Sequence, residues 1–468
     1  MTDTTIPKTA PLPHQLEAID FIVNHPIAAL LDEQGVGKTK EVIDAMIALL
    51  AGKKIESVLI VCPKTLMNTW NTEIKKHSYL VPTVIEGPAT QKIYHLLSAP
   101  NIYIINYEGL ISEERLITLL LRTKSFAIVL DESQRIKNPD TRTYQSISRL
   151  RKLAPRRYIL SGTMVANSPV DLWSQFFFLD GGTVLGTSFK EYKRKYNSAR
   201  LSKDDLVELR EKIRPLSIRR LKNDVLELPE KIFVTREVDM SPRQKEIYKR
   251  LKEELLIEIF SEGDNQIIDE SKTILKKLLR LVQVASNPGL IVKDYEETPA
   301  KFIELSKIVE EVISRGEKVI IWSSFVDNVK ELHKKYSQHG ALAIHGSIKI
   351  ADRNRYIKLF QEDPSHKILV ANPAAAREGL TLTAANNAVY LDRSFNLVDY
   401  LQSQDRIHRI SQEKTCHIIK LVAKDTIDIF IEDKLSLKQD VAKVIQGDSV
   451  DIDFDKFLTK EEIFSILN

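Results

Sequence analysis

Four short runs in the first 165 residues, "ESVLIVCP", "NIYIINY", "FAIVLDE" and "RRYILSGT", are apolar almost without a break, and each ends in a polar residue or glycine. A strand with one face in water alternates apolar and polar side chains. Runs like these belong to strands covered on both faces, as in a parallel sheet flanked by helices. Ligands of such sheets collect at the C-terminal strand ends, which is where the polar residues fall. The alternation returns from about residue 300 in "EKVIIWSSF", "ALAIHG", "HKILVANP", "NAVYLDR" and "CHIIKLV". Between these regions the sequence is charged and helix-favouring, with "SPRQKEIYKRLKEELLIEIF" and "SKTILKKLLRLVQVA". The expected fold is α/β, with two parallel-sheet lobes separated by a helical insert. The first lobe is expected over 1–170, helical protrusions and a linker over 171–295, the second lobe over 296–445, and a small acidic tail over 446–468.

A chain of 468 residues can hold two or three domains, and 43% hydrophobic with 28% charged residues suits a packed core in each lobe. The net charge of +4 is small for this length, so a polyanion site has to be a local basic surface. Cys62 and Cys416 lie far apart and form no CxxC pair, so neither a disulfide framework nor a zinc site is expected, and a reducing compartment fits. The start, "MTDTTIPKTAPLP", lacks the apolar core of a signal peptide, and no apolar run approaches the roughly 20 residues that span a bilayer. The expectation is a soluble intracellular protein.

The stretch "LLDEQGVGKTKEVI" carries the first chemistry. Gly35 and Gly37 permit a tight turn that exposes backbone amides to a triphosphate, and the helix that follows presents its N-terminus. Lys38 would neutralise the β- and γ-phosphates and Thr39 would ligate Mg²⁺. A common phosphate loop has glycine five residues before Gly37, where this chain has Asp32. A bare GKT also reads as a glycine-rich turn. About 90 residues later "FAIVLDESQRIKNP" ends a strand on two carboxylates: Asp131 to hold the Mg²⁺ water shell, Glu132 to orient and deprotonate the attacking water. Taken alone, that pair would be an acidic strand end in a solvated loop; after a GKT loop the catalytic reading prevails. "LSGTMVAN" adds Ser161 and Thr163, suited to sensing the γ-phosphate, and Gln15 in "PLPHQLEAIDFI" stands where it could read an adenine edge.

In "DYLQSQDRIHRISQ", Arg406 and Arg409 are three apart and would share a helix face. Such a pair is usually a solvated or ion-paired surface. Opposite a triphosphate held by the other lobe, the two would be arginine fingers, making hydrolysis depend on lobe closure.

With these motifs in order, the chain resembles the Swi/Snf-type ATPases, a branch of helicase superfamily two with two RecA-like lobes. The resemblance runs through Gln15, "DEQGVGKT", "VCPKTLMNTW", "INYE", "DESQRIKNP", "LSGTMVANSPVDLWSQFFFLD", "SIRRLKNDVLELPEK", "IIWSSF", "IHGSI", "EGLTLTAA" and "QDRIHRISQ". It implies ATP and Mg²⁺ as cofactors. Nucleotide contacts would come from Gln15, Gly35, Val36, Gly37, Lys38, Thr39, Gly379, Asp405, Arg406 and Arg409, with Thr39 and Asp131 at the metal. Coupling would run through Gln134, Ser161, Gly162 and Thr163. A groove for one strand of duplex DNA would use Lys64, Thr65, Asn68, Lys137 and Asn138 in the first lobe, and His345, Ser347 and Thr381 in the second. Backbone contacts by such residues fix register without reading bases.

The resemblance also places Arg219, Arg220 and Lys222 near the first lobe's protrusion and "VASNPGL" near the turn into the second lobe. "DES" and "RRLKNDVLELP" lean toward fork-remodelling, annealing helicases. Departures are Gln134 for the usual His, Met164 for Pro, Phe395 for Trp and Ser411 for Gly. The implied function is an ATP-dependent double-stranded DNA translocase, with branch migration or fork remodelling in repair, recombination or replication as the finer expectation. Two alternatives stay open: a strand-separating RNA or DNA helicase, and a nucleotide-dependent switch or motor subunit of a larger defence or restriction complex. Double-stranded or branched DNA is the expected partner, with neither membrane nor zinc. The compact chain suggests a bacterial or phage protein of the cytoplasm, nuclear if eukaryotic, or a subunit that a protein partner targets.

Overall fold

The structure, a computed structural model, describes residues 5–98, 100–162, 168–196, 201–261, 271–375 and 380–448. The chain divides into two compact units, one of Met1–Glu227 with the segment from Asp440, the other of Leu228–Gln439. Each is α/β and built on a fully parallel sheet.

In the first unit the strands are β1 (Ile27–Leu30), β2 (Ser57–Cys62), β3 (Pro82–Val84), β4 (Ile102–Asn106), β5 (Phe126–Asp131), β6 (Arg156–Leu160) and β7 (Ser217–Ile218). Their order is β3-β4-β2-β5-β6-β1-β7. Every side chain of β2 is buried, and so are the first five of β5. Val58, Ile60 and Cys62 face one core with helices α1 (Pro13–Asn24), α2 (Lys38–Ala51) and α3 (Met67–His77), while Leu59 and Val61 are buried on the other face. That is why the runs read as continuously apolar. Register fixes the functional edge: Leu30 pairs with Leu160, and Leu160 with Asp131. The segments leaving β1, β5 and β6 therefore emerge side by side.

The second unit contains β8 (Lys231–Val238), β9 (Val319–Trp322), β10 (Leu342–Ile344), β11 (Ile368–Ala371), β12 (Asn387–Tyr390) and β13 (Cys416–Ala423), in the order β10-β11-β9-β12-β13-β8. Alternate residues of β9 serve opposite cores: Ile320 and Trp322 one, Val319 and Ile321 the other. Helices Pro242–Ser261 and Ser271–Ser286 bury Tyr248, Leu251, Leu255, Leu278, Leu281 and Val282 in the first of these cores.

The stretch read as helical insert therefore contributes two strands. β7 and β8 are edge strands, and β8, "KIFVTREV", has three charged residues and a threonine among its eight, which conceals it from an apolar-run criterion. Charged side chains suit an edge, where one flank of the strand lacks a neighbour.

Candidate nucleotide site

The phosphate-loop candidate leaves β1 and turns into α2. Gly35 has φ 88° and Gly37 φ 108°, left-handed conformations that ordinary L residues resist. At Gly37 the space is also taken, because an added Cβ would collide with Gln15 Nε2. Gln15 is buried at the start of α1, its Oε1 accepting the Leu12 N–H at 2.8 Å. The neighbouring His14 Nε2 lies 3.0 Å from the Val36 carbonyl. Gln15 and Val36 thus belong to one packed turn with the glycines.

Lys38 heads α2 and donates from Nζ to the carbonyls of Asp32 at 2.6 Å and Glu33 at 3.1 Å. Burial pulls its pKa down, and the charges of Asp32, Glu132, Glu41 and Asp131 oppose that pull. The loop amine and the two strand-end carboxylates therefore sense one another.

Asp32 replaces the glycine of a common phosphate loop and is fully buried. The Arg220 guanidinium clasps both its oxygens and donates to Glu41 Oε1 at 2.7 Å and to the His14 carbonyl. Backbone bonds from Leu31 N to Ile218 O (2.9 Å) and Glu33 N to Arg220 O (3.0 Å) extend the β1–β7 pairing into the loop, and Lys222 N donates to Glu33 Oε2 at 2.9 Å. Arg220 and Lys222, placed by resemblance near a protrusion, here brace the phosphate loop instead. Arg219 does likewise, donating to the Leu31 carbonyl. Burial, with Asp32 adding to it, pushes Glu41 up to about 8, and Arg220 and Lys38 pull against that rise.

Asp131 ends β5. Its Oδ2 accepts the Trp70 indole N–H at 2.8 Å, its Oδ1 accepts the Glu132 N–H at 2.9 Å, and its carbonyl accepts from the Tyr107 hydroxyl at 2.7 Å. Burial and the neighbouring Glu132 charge push the carboxyl up to about 7, against the Trp70 bond and the Lys38 charge. Glu132 follows at φ 52°, a left-handed conformation that costs a non-glycine residue about 1–3 kcal/mol. Its Oε2 accepts from Gln134 Nε2 at 2.5 Å, and Gln134 Oε1 accepts the Ser161 hydroxyl at 3.0 Å. A Cβ on the next residue, Gly162, would fall 2.5 Å from Gln34 Cγ and 3.2 Å from its backbone nitrogen, so this segment lies flush against the phosphate loop. Three of the four expected coupling residues thus meet the loop and the acidic pair; Thr163 lies outside the described residues.

Among the described residues, no group of three or more His, Cys, Asp or Glu is placed to hold a metal by itself. One carboxylate and one hydroxyl are instead the protein's usual share of a Mg²⁺ site that substrate phosphates complete, and Asp131 and Thr39 fit it. Mg²⁺ bound there would neutralise phosphate charge.

Of the expected DNA contacts in the first unit, Lys64 and Asn68 are exposed and Thr65 half-buried, on the 3₁₀ turn Lys64–Leu66 and the start of α3. Asn138 is exposed, and Lys137 lies 3.4 Å from Asp171. In the second unit His345 is buried just past β10, Ser347 is exposed, and Thr381 is half-buried. Gly379 lies outside the described residues.

The expected helical spacing of Arg406 and Arg409 does not hold. Helix Leu397–Gln404 stops before them, and both lie in the turns that follow. Arg406 Nε donates to the Gln402 carbonyl and Arg409 Nε to the Asp405 carbonyl, each at 2.9 Å. The side chains thereby satisfy carbonyls that a terminating helix leaves over. Arg406 is buried and also donates to Leu380 O at 3.3 Å. Arg409 is half-exposed and reaches Thr381 Oγ1 at 3.2 Å. Asp405 lies 3.7 Å from Lys231.

The profile of the SNF2-related domain matches residues 14–290, more than half of the chain. The chain belongs to the SNF2-related family. Residues 300–411 of this SNF2-related chain match the helicase conserved C-terminal domain. An uncharacterized ATP-dependent helicase of Mycoplasma genitalium is 28% identical over 450 residues, covering 93% of this chain and 42% of the relative. The chromatin structure-remodeling complex subunit snf21 of Schizosaccharomyces pombe is 26% identical over 496 residues, covering 96% of this chain and 40% of that protein. The SNF2-related chain thus spans about two fifths of these curated relatives. The Sulfolobus solfataricus SWI2/SNF2 ATPase core in complex with dsDNA is 26% identical, with a TM-score of 0.46 over 99% of this chain and 98% of that one.

Sequence reading missed three features. Arg220 is 188 residues from Asp32, and only the unusual Asp32 hinted at a partner. Trp70 and Tyr107 lie inside the motifs "VCPKTLMNTW" and "INYE", where nothing local marks their bonds to Asp131. The strain at Glu132 leaves no mark on the sequence.

Proposed function

We propose that the protein is an ATP-dependent double-stranded DNA translocase. The observation that carries the reading is the convergence at one sheet edge of Lys38, Asp131 and Glu132, with Gln134 linking Glu132 to Ser161 just past the end of the next strand. Backbone amides of the Gly35–Gly37 turn and Lys38 bind the triphosphate, and Lys38 exchanges the carbonyls of Asp32 and Glu33 for phosphate oxygens. Asp131 and Thr39 would hold the metal, whose charge would offset that of the phosphates. Glu132 accepts a proton from water at its carboxylate, held in place by Gln134. Arg409 supplies positive charge to the transition state. The exposed Lys64, Asn68, Asn138 and Ser347 grip phosphates of one strand, which favours tracking over base recognition.

The finer reading is fork remodelling, supported by the "RRLKNDVLELP" and "DES" motifs, with branched DNA stimulating more than linear duplex. A steady-state ATPase assay across linear duplex, forked, four-way and single-stranded DNA, and RNA, tests both levels, with Lys38→Ala as the inactive control. Turnover stimulated by duplex and most by branched DNA is expected. Stimulation confined to single strands or RNA would favour a conventional helicase.

A further inference from the structure

Trp70 is 1% exposed and packs beside Met67 and Ile74 in the first unit's core. A buried indole N–H usually takes an acceptor, and a backbone carbonyl would have served. Here the acceptor is Asp131 Oδ2 at 2.8 Å, on the carboxylate assigned to the metal. Trp70 is also one helical turn from the outward end of the element that carries it. The exposed Lys64 opens the 3₁₀ turn that leads into α3, and the exposed Asn68 stands in the first turn of α3. One short element therefore presents strand-gripping side chains on its outer face and a hydrogen bond to the metal carboxylate on its inner face.

We propose that Trp70 is a positioning residue through which DNA held at Lys64 and Asn68 orients the Asp131 carboxylate. This rests on the translocase reading. The remaining restraints on Asp131, the Glu132 N–H on Oδ1 and the Tyr107 hydroxyl on its carbonyl, come from elements other than α3. The Trp70 bond is thus the one among these three that moves with the proposed DNA surface. A displacement of α3 turns the carboxylate about its Cβ–Cγ bond, changing which lone pairs face the metal. No covalent bond is made or broken.

Trp70→Phe keeps most of the ring and removes the donor. The expected result is retained duplex binding, a Mg²⁺ requirement for nucleotide binding raised about 10–100-fold, the scale on which outer partners of a metal ligand act, and loss of most of the DNA stimulation. A second measurement leaves Trp70 native. The chain has three tryptophans, and a Trp173→Phe, Trp322→Phe protein reports Trp70 emission alone. Among the described residues Trp322 Nε1 has no hydrogen-bond partner, so its replacement forfeits none there. Duplex DNA added without nucleotide is expected to shift this emission, and Lys64→Ala with Asn68→Ala to suppress the shift. Unchanged Mg²⁺ requirement and stimulation in Trp70→Phe, or emission indifferent to bound duplex, would overturn the coupling while leaving the translocase reading intact. Absence of duplex stimulation in the unaltered protein would instead overturn the translocase reading, and the coupling with it.

Discussion

Gln134 Nε2 donates to Glu132 Oε2 at 2.5 Å, so the carboxylate proposed to activate water is steadied by the residue standing where the family resemblance leads one to expect histidine. An amide donates and accepts at once without titrating, and Gln134 uses both ends, the second on Ser161.

Gln134→Ala is expected to leave nucleotide binding intact and lower DNA-stimulated kcat roughly 100-fold, the cost of a small misplacement of a reacting group. Gln134→His restores the link and adds a dependence on pH around the histidine value of about 6.5. Parallel pH–rate profiles for the native protein and Gln134→His would contradict the link from residue 134 to Glu132.

Glu132→Gln keeps an oxygen for Gln134 to donate to and leaves Asp131 untouched. It is expected to bind ATP with Mg²⁺ normally and to hydrolyse none, as read by equilibrium nucleotide binding beside single-turnover kinetics. Loss of binding would mean that Glu132 is structural.

Arg220 stands between two fully buried carboxylates, Asp32 and Glu41. Removing a hydrogen-bonded partner from such a buried ion cluster typically costs about 3–5 kcal/mol. Arg220→Met should lower the stability of the first unit by that amount in urea unfolding. Adding Asp32→Asn should recover part of the loss, because one uncompensated charge is gone. Strictly additive losses would refute the ion cluster.

Arg409→Ala forfeits the bonds to Asp405 O and Thr381 Oγ1. If Arg409 supplies transition-state charge, turnover falls about 10³-fold with nucleotide binding nearly unchanged. Equal losses in binding and turnover would transfer that role to Arg406.

The sequence disclosed the parts of this fold that bury both strand faces, since burial of β2, β5 and β9 leaves no polar alternation to misread. It concealed β1 and β3, of four and three residues, and the charged edge strand β8. At the site, glycines and carboxylates announce themselves because few other residue types suit a left-handed turn or a metal. The clasp of Arg220 on Asp32 depends on β7 joining β1, which no local pattern records. The end of the helix before Arg406 escaped notice because that arginine and Arg409 themselves take up the carbonyls that end it.

The central claim, ATP-driven tracking along duplex DNA, is tested most directly by displacement of a third strand from a triplex, run beside unwinding of a plain tailed duplex. Contacts mainly to phosphate predict activity that falls steeply with salt and depends little on base sequence. The expected result is ATP-dependent triplex displacement with little or no duplex unwinding, abolished by Lys38→Ala. Failure to displace the third strand, together with efficient and processive unwinding of the tailed duplex, would contradict the account.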